Sequence, residues 1–339
     1  MPNLLDEFSA EMLPAVEQEM LAALDDGFPA QFVFMHSMLA YHLGWQEMPD
    51  SHPAKGKRIR PLILLLSAIA VGGDWRPALP AAAAVEFLHN FSLIHDDIED
   101  RGEFRHGRPA LWKKEGVAQA INAGDALFSV AFLTLQRLAA PVSAEAVRAV
   151  YRVLGTACLN LTGGQSLDLD FEVARDIDVQ DYWTMIEGKT AALMSAAAEI
   201  GALLGDGDAE KRAALAHFGH YLGLAFQTQD DQLGIWGETA TTGKSAESDL
   251  VTGKKSLPVI YALQHDAEFK KRWNSGPIFV EEVSKIVADL DRIGAKDYTQ
   301  QQTDTFTQKA LDYILYLPQE NKAVGALKSL AENLTRRRA

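Results

Sequence analysis

Apolar residues recur at i, i+3, i+4 and i+7 along almost the whole chain, the period with which an α-helix buries one face. The pattern predicts helices over residues 4–24, 29–44, 59–72, 78–101, 117–138, 143–163, 179–204, 208–236, 256–265, 279–292, 296–316 and 321–336. No run reads as a strand. Breaks are expected at 53–56, 72–73, 102–109, 205–208 and 237–255, where Gly, Pro and charged residues gather. Pro141 and Pro258 suit the first turn of a following helix, where a missing N–H does no harm. Residues 81–94 and 193–204 are apolar nearly all round, which places those helices in the middle of a large bundle. Such a bundle can enclose a long apolar cavity. With no repeat, low-complexity tract or linker, the expectation is one all-α domain spanning residues 1–339.

Composition narrows the class. The chain has 339 residues, 47% apolar and 23% charged, values that exclude disorder. Its apolar runs look too short or too interrupted to cross a bilayer. Residues 1–19 carry five acids (Asp6, Glu7, Glu11, Glu17 and Glu19) and no Lys or Arg, the reverse of a signal peptide's basic start. Cys158, the single cysteine, can form no internal disulfide, and a cytoplasmic location is the expectation. A net charge of −14 argues against nucleic acid as a partner. A chain this acidic holds an anion only through local clusters of Lys and Arg or through bound divalent ions.

Such clusters are present beside two aspartate strings, Asp96-Asp97-Ile98-Glu99-Asp100 and Asp230-Asp231. On a helix Asp96 and Asp100 project from one face, where two carboxylates can grip a hard cation. A solvated acidic helix end has the same string, so the flanks decide. Directly after the first string come Arg101, Arg105, His106 and Arg108 in a Gly-bounded segment, and arginine presents a fork suited to phosphate oxygens. Upstream, Gly56-Lys57-Arg58-Ile59-Arg60-Pro61 sets three cations at a loop-to-helix junction, where backbone N–H groups favour an anion and a second diphosphate could dock. Gln227 precedes the second string by one turn, and Lys244, Lys254 and Lys255 follow it. Between the strings, Gln165, Asp168, Lys189 and Thr190 interrupt apolar helices; taken alone, each suits a satisfied core polar group. Together the segments describe a Mg2+ site for a diphosphate.

In order and spacing, six segments between about residue 56 and residue 263 resemble the trans-isoprenyl diphosphate synthases, the polyprenyl synthetase family. The resemblance implies an isoprenoid synthase type I helical bundle around a deep apolar cavity, usually a homodimer with no membrane span. It implies condensation of isopentenyl diphosphate with an allylic diphosphate (dimethylallyl, geranyl or farnesyl) using three Mg2+ ions. Asp96 and Asp100 would bind two of these, with Asp97 nearby; Asp230 would bind the third, with Asp231 and Asp249 supporting its waters. Lys57, Arg60 and His89 match positions that hold isopentenyl diphosphate. Arg105, Lys189, Lys244 and Lys254 match positions that hold the allylic diphosphate, while Thr190 and Gln227 match polar groups along the reaction path, and Gln165 and Asp168 a polar pair beside the metals. The chemistry fits: ionisation of an allylic diphosphate separates charge, which metal ions and fixed cations stabilise while apolar walls exclude water.

The chain departs from the family at two positions. His106 stands where a second arginine is usual for isopentenyl diphosphate, so that binding leans on Arg108. Gly234 replaces the last aspartate of the second motif. For product length, Phe91, five residues before Asp96, would act as a floor, whereas Ser92 leaves space; that pairing resembles synthases that stop at geranylgeranyl diphosphate, with farnesyl diphosphate the alternative. A terpene cyclase would want a different second metal motif and has no use for the segment 57–60. A carboxylate-bridged di-iron bundle would use Glu86 and His89 but lacks the matching pair on a facing helix. A non-catalytic subunit of the same fold is the remaining alternative, motivated by Gly234 and His106.

Overall fold

The computed structural model describes residues 4–29, 31–45, 56–174, 176–237 and 248–335, and over them the apolar period becomes helix. In chain order these are α1 (Leu4–Gly27), α2 (Val33–His42), α3 (Ile59–Ala70), α4 (Leu79–Glu99), a hairpin of β1 (Phe104–Arg105) and β2 (Arg108–Pro109), α5 (Leu111–Glu115), α6 (Val117–Thr134), α7 (Ala144–Val173) and α8 (Val179–Ile186). After a π turn at Glu187–Ala191 follow α9 (Ala192–Leu204), α10 (Ala209–Trp236), α11 (Ser248–Val251), α12 (Leu257–His265), α13 (Ala267–Asn274), α14 (Val283–Ile293), α15 (Ala295–Ile314) and α16 (Lys322–Thr335).

The differences from the sequence expectation are local. The segment 102–109, read as loop, contains a two-stranded antiparallel hairpin, too short to show a period of two. The short helices α5, α11 and α13 were not foreseen. Helix α7 runs on through Gly163-Gly164 to Val173, because Gly164 serves a close packing contact rather than a turn. The continuous helix expected over 179–204 is split by the π turn. Pro141 lies before α7, which starts only at Ala144, whereas Pro258 does occupy the first turn of α12.

Contacts group the chain into two units: Met1–Gly155 with Ala196–Leu215 and Leu317–Leu327, and Thr156–Ser195 with Ala216–Tyr316 and Lys328–Ala339. In the first, α4 is the central helix, buried on most sides as its apolar sequence requires and packed on α6, α1 and α3. The span Val117–Arg137, 21 residues, is long and apolar enough to cross a membrane by length and composition, which amends the sequence reading. It is amphipathic in its packing, however: Ala120, Ala123, Gly124, Leu127, Val130 and Ala131 are buried, while the opposite face exposes Val117, Ile121, Asp125, Phe128 and Leu133. In the second unit one apolar cluster joins Tyr182, Met185 and Ile186 of α8 to Leu224 of α10 and Leu257 and Ile260 of α12. Another gathers Val259, Phe269, Val283, Ile286 and Leu290 from α12 to α14.

Candidate active site

In the first unit α4 ends in the first aspartate string. Its last turn is closed by the Asp100 N–H donating to the Asp96 carbonyl at 2.8 Å, so the two side chains leave the same side of the helix. Asp96 is half-buried and Asp100 exposed. Asp97, one residue round the helix, points inward and is only 3% exposed. Its carboxylate accepts from Arg105 Nη2 at 2.5 Å and Nε at 3.1 Å. That pair anchors the hairpin beneath α4, helped by Trp112 Nε1 donating to the Gly102 carbonyl at 2.8 Å. The hairpin turns at His106 and Gly107, both with positive φ (51° and 74°), the backbone that a tight two-residue turn demands. Register puts Arg105 directly opposite Arg108.

Around this hairpin lies a concentration of positive charge. Arg58, one of three cations read from the sequence as an anion site, is spent internally: it donates to Glu17 and Glu86, each at 2.8 Å, and to the Leu43 carbonyl at 3.0 Å. Burial acts to depress its pKa, but Glu86 and Glu17 outweigh that and raise it. Glu86 also accepts from Asn90 at 2.9 Å, so the Glu86 and His89 spacing serves an ion pair rather than an iron site. Among the described residues Arg60 Nε has no hydrogen-bond partner, and burial lowers the Arg60 pKa against the opposing pull of Glu86. His89 is pushed well below the ordinary imidazole value by burial and then by Arg60 and Arg105, and is neutral near pH 7. His106 is also lowered, by burial and Arg105. Lys57 is exposed at the start of the segment.

Phe91, one turn above the string, is 9% exposed and meets Phe128 of α6 edge-on at 5.4 Å and His95 at 5.0 Å. Phe132 extends the row from Phe128 at 5.2 Å. Ser92 is buried, its hydroxyl donating to the His89 carbonyl at 2.8 Å.

The second unit carries the rest. Helices α7 and α8 cross where Gly164 meets the π turn: a Cβ on Gly164 would fall 2.1 Å from the Lys189 nitrogen, so only glycine permits the approach. That crossing brings Lys189 Nζ into an ion pair with Asp168. A π turn within a helix is frequent at functional positions, and this one also presents Thr190. The Thr190 hydroxyl donates to Gln227 Oε1 at 2.7 Å, and Gln227 Nε2 donates to Asp231 Oδ1 at 3.0 Å. Asp231, 2% exposed, also accepts from the Tyr182 hydroxyl at 2.7 Å and the Leu257 N–H at 2.9 Å. Burial raises its pKa, opposed by Lys254 and these donors. Asp230, by contrast, is exposed. Lys255 donates to the carbonyls of Phe171 and Glu172 near the end of α7, a helix-capping role. Gln165 is buried. Lys244 lies outside the described residues, as does the side chain of Asp249.

Tyr182 and Glu17 escaped the sequence reading, and Glu86 entered it only as a candidate iron ligand, not as the partner of Arg58. Tyr182 left a signal, a hydroxyl-bearing ring on the inner face of α8, where buried tyrosines usually find a partner; the ion pairs of the two glutamates left none. Among the described residues no three His, Cys, Asp or Glu side chains form a ready metal cage. A magnesium ion does not need one, since it is commonly held by one or two carboxylates with water and substrate phosphate completing its shell. The all-oxygen set Asp96 and Asp100 fits that pattern, as does Asp230.

A family model for polyprenyl synthetases matches residues 46–290. A (2E,6E)-farnesyl diphosphate synthase of Mycobacterium tuberculosis is 41% identical over 264 residues, 77% of this chain and 72% of that protein. The solved geranylgeranyl pyrophosphate synthetase of Pyrococcus horikoshii superposes with a TM-score of 0.90 at 32% identity, covering 99% of this chain and 98% of that one. A polyprenyl synthase of Caulobacter crescentus, complexed with calcium and isoprenyl diphosphate, gives a TM-score of 0.85 at 28% identity, covering 99% and 98%. With most of its length matched by the family model, the chain belongs to the polyprenyl synthetase family.

Proposed function

We propose that this chain is a trans-prenyltransferase that condenses isopentenyl diphosphate with an allylic diphosphate (dimethylallyl, geranyl or farnesyl) to give a short-chain prenyl diphosphate, chiefly geranylgeranyl diphosphate. The observation that carries the reading is the division within the first unit: accessible Asp96 and Asp100 at the end of α4, beside Arg60 and Arg108, whose buried guanidinium nitrogens keep no hydrogen-bond partner among the described residues. Both calcium and isoprenyl diphosphate in the Caulobacter relative support it.

In this reading Asp96, Asp100 and Asp230 hold the divalent metal, magnesium, with three ions per site. Bound magnesium would neutralise the diphosphate and lower the cost of its departure as a leaving group. Asp97 and Asp231 take supporting roles, because their oxygens are already engaged by Arg105 and by Gln227, Tyr182 and Leu257. Arg105, Lys189, Lys244 and Lys254 bind the allylic diphosphate; Lys57, Arg60, His89 and His106 bind isopentenyl diphosphate. The hydroxyl proton of Thr190 is committed to Gln227, so its oxygen offers lone pairs to the positive charge that develops on the allylic carbon. The isopentenyl double bond then attacks that carbon, and the released diphosphate takes the final proton. Phe91, backed by Phe128, sets the floor that stops growth, and the farnesyl-length product of the mycobacterial relative is the alternative.

The same reading takes the whole chain as one catalytic domain and a homodimer, the latter supported by the exposed apolar row Val117, Ile121, Phe128 and Leu133 on α6. A buried, unpaired Cys158 supports a reducing cytoplasmic setting. The test is incubation with labelled isopentenyl diphosphate and each allylic primer, with Mg2+ and with chelator. Label passing into a prenyl diphosphate only with metal is the expected outcome; no transfer with any primer would refute the reading.

A further inference from the structure

Arg105 and Arg108 are cross-strand partners in the hairpin, so their side chains leave the ribbon on one face, where like charges directly opposite destabilise each other. Arg105 is compensated by Asp97. Arg108 is not. It is 5% exposed, and among the described residues its Nε and Nη2 have no hydrogen-bond partner. Its guanidinium carbon lies over the Tyr41 ring, 4.1 Å from the centroid, and Tyr41 is fixed in turn by its hydroxyl donating to the Pro109 carbonyl at 2.8 Å. Stacking holds the plane of the guanidinium and leaves its N–H edge free for a ligand. Arginine cannot discard its charge, and a buried charge without a counter-ion is costly.

Among the described residues, the nearest acids, Asp97 and Glu86, are already engaged by Arg105 and Arg58. A small pocket here has Tyr41, His42, Arg105, His106 and Arg108 as its polar walls, with no carboxylate among them. His42 Nε2 also has no partner among the described residues, and the His42 pKa is lowered to about 3 by burial first and then by Arg105, His106, Arg58 and Arg108. His106 is the hairpin residue between the two arginines, and its imidazole, like that of His42, is held toward the neutral form. What completes such a set is an anion with several oxygens, the chemistry of a diphosphate.

We propose that Arg108 is a phosphate-binding residue for isopentenyl diphosphate, held ready by Tyr41 and acting in place of the arginine that His106 displaces. This rests on the proposed function. It assigns the hairpin two separate duties: Arg105, tied to Asp97, and Arg108, tied to an aromatic ring and waiting for its anion.

Steady-state kinetics of Arg108→Ala test it. The expected result is a KM for isopentenyl diphosphate raised about 10- to 100-fold, the worth of one or two charge-assisted hydrogen bonds, with the allylic KM within about twofold of wild type. Adding His106→Arg to Arg108→Ala should bring that KM back toward wild type. An unchanged KM for isopentenyl diphosphate would overturn the assignment, and so would an equal rise in both KM values or a double variant with no recovery, because each marks a structural arginine. If Arg108→Ala does not fold, Arg108→Met keeps an unbranched stem against Tyr41 and carries the same comparison. Calorimetric binding of inorganic pyrophosphate separates this claim from the proposed function. Wild-type protein that binds pyrophosphate but condenses nothing would sink the function alone, whereas equal pyrophosphate affinity in wild type and Arg108→Ala would sink the role of Arg108.

Discussion

The Tyr182 hydroxyl donates to Asp231 Oδ2 at 2.7 Å, and through that contact helix α8 fixes the orientation of a carboxylate on α10. Burial, and then the Asp231 charge, raise the Tyr182 pKa well above the ordinary phenol value, so the proton stays on tyrosine and the bond keeps its direction. Asp231 in turn holds Gln227, and Gln227 holds Thr190.

Removing the hydroxyl should therefore loosen Thr190 without emptying the site. Tyr182→Phe is expected to lower kcat about tenfold, leave both KM values nearly unchanged, and cost about 1 kcal/mol of stability for the hydrogen bond lost. Stopped-assay kinetics and urea unfolding check this; unchanged kcat would detach Tyr182 from the reaction.

Neighbouring aspartates should separate into two classes. Asp96→Ala and Asp230→Ala are expected to reduce turnover by about a thousandfold or more with little change in Tm, since accessible metal ligands contribute several kcal/mol to charge stabilisation. Asp97→Ala should instead lower Tm, because it leaves Arg105 half-buried without its acid. Thermal unfolding beside kinetics reads both; equal Tm losses at all three positions would erase the distinction.

These two classes show how far the sequence reached. Both aspartate strings, and the apolar helices that carry them, were legible from period and composition. Within each string the adjacent acids sit about 100° apart on a helix, so that both cannot face the same way; the period did not say which turns inward, and only the family resemblance set Asp97 and Asp231 apart as supporting acids. Arg58 read as an anion-binding cation because its acids, Glu17 and Glu86, come from other helices and leave no local trace. The hairpin was missed because two-residue strands have no period to detect, and the continuation of α7 because the apolar period fades at Gly163-Gly164, where Gly164 serves a helix crossing.

Phe91 sets up a prediction about product. Phe91→Ala should lengthen the prenyl product beyond that of wild type, and it should cost about 3 kcal/mol of stability through the void left against Phe128 and His95. Chromatography of the dephosphorylated products checks the first part. An unchanged product with the expected stability loss would move the floor elsewhere.

Acid should weaken the fold through His42. Its pKa is near 3 in the folded chain, against about 6.5 unfolded, so between those values the unfolded state binds the extra proton. Stability is then complete above about pH 6.5 and falls as pH drops toward 3, by roughly 2 kcal/mol at pH 5 from this group. Urea titrations at pH 7.5 and pH 5 should show a loss in wild type that is smaller by about that amount in His42→Gln. Identical losses would contradict the assignment.

The most direct measurement is anomalous diffraction from crystals grown with Mn2+ and a non-hydrolysable thio analogue of farnesyl diphosphate. The account predicts metal peaks within about 2.3 Å of carboxylate oxygens of Asp96, Asp100 and Asp230, each shared with a diphosphate oxygen. Peaks on Asp97 or Asp231, or a diphosphate bound away from all three acids, would contradict it.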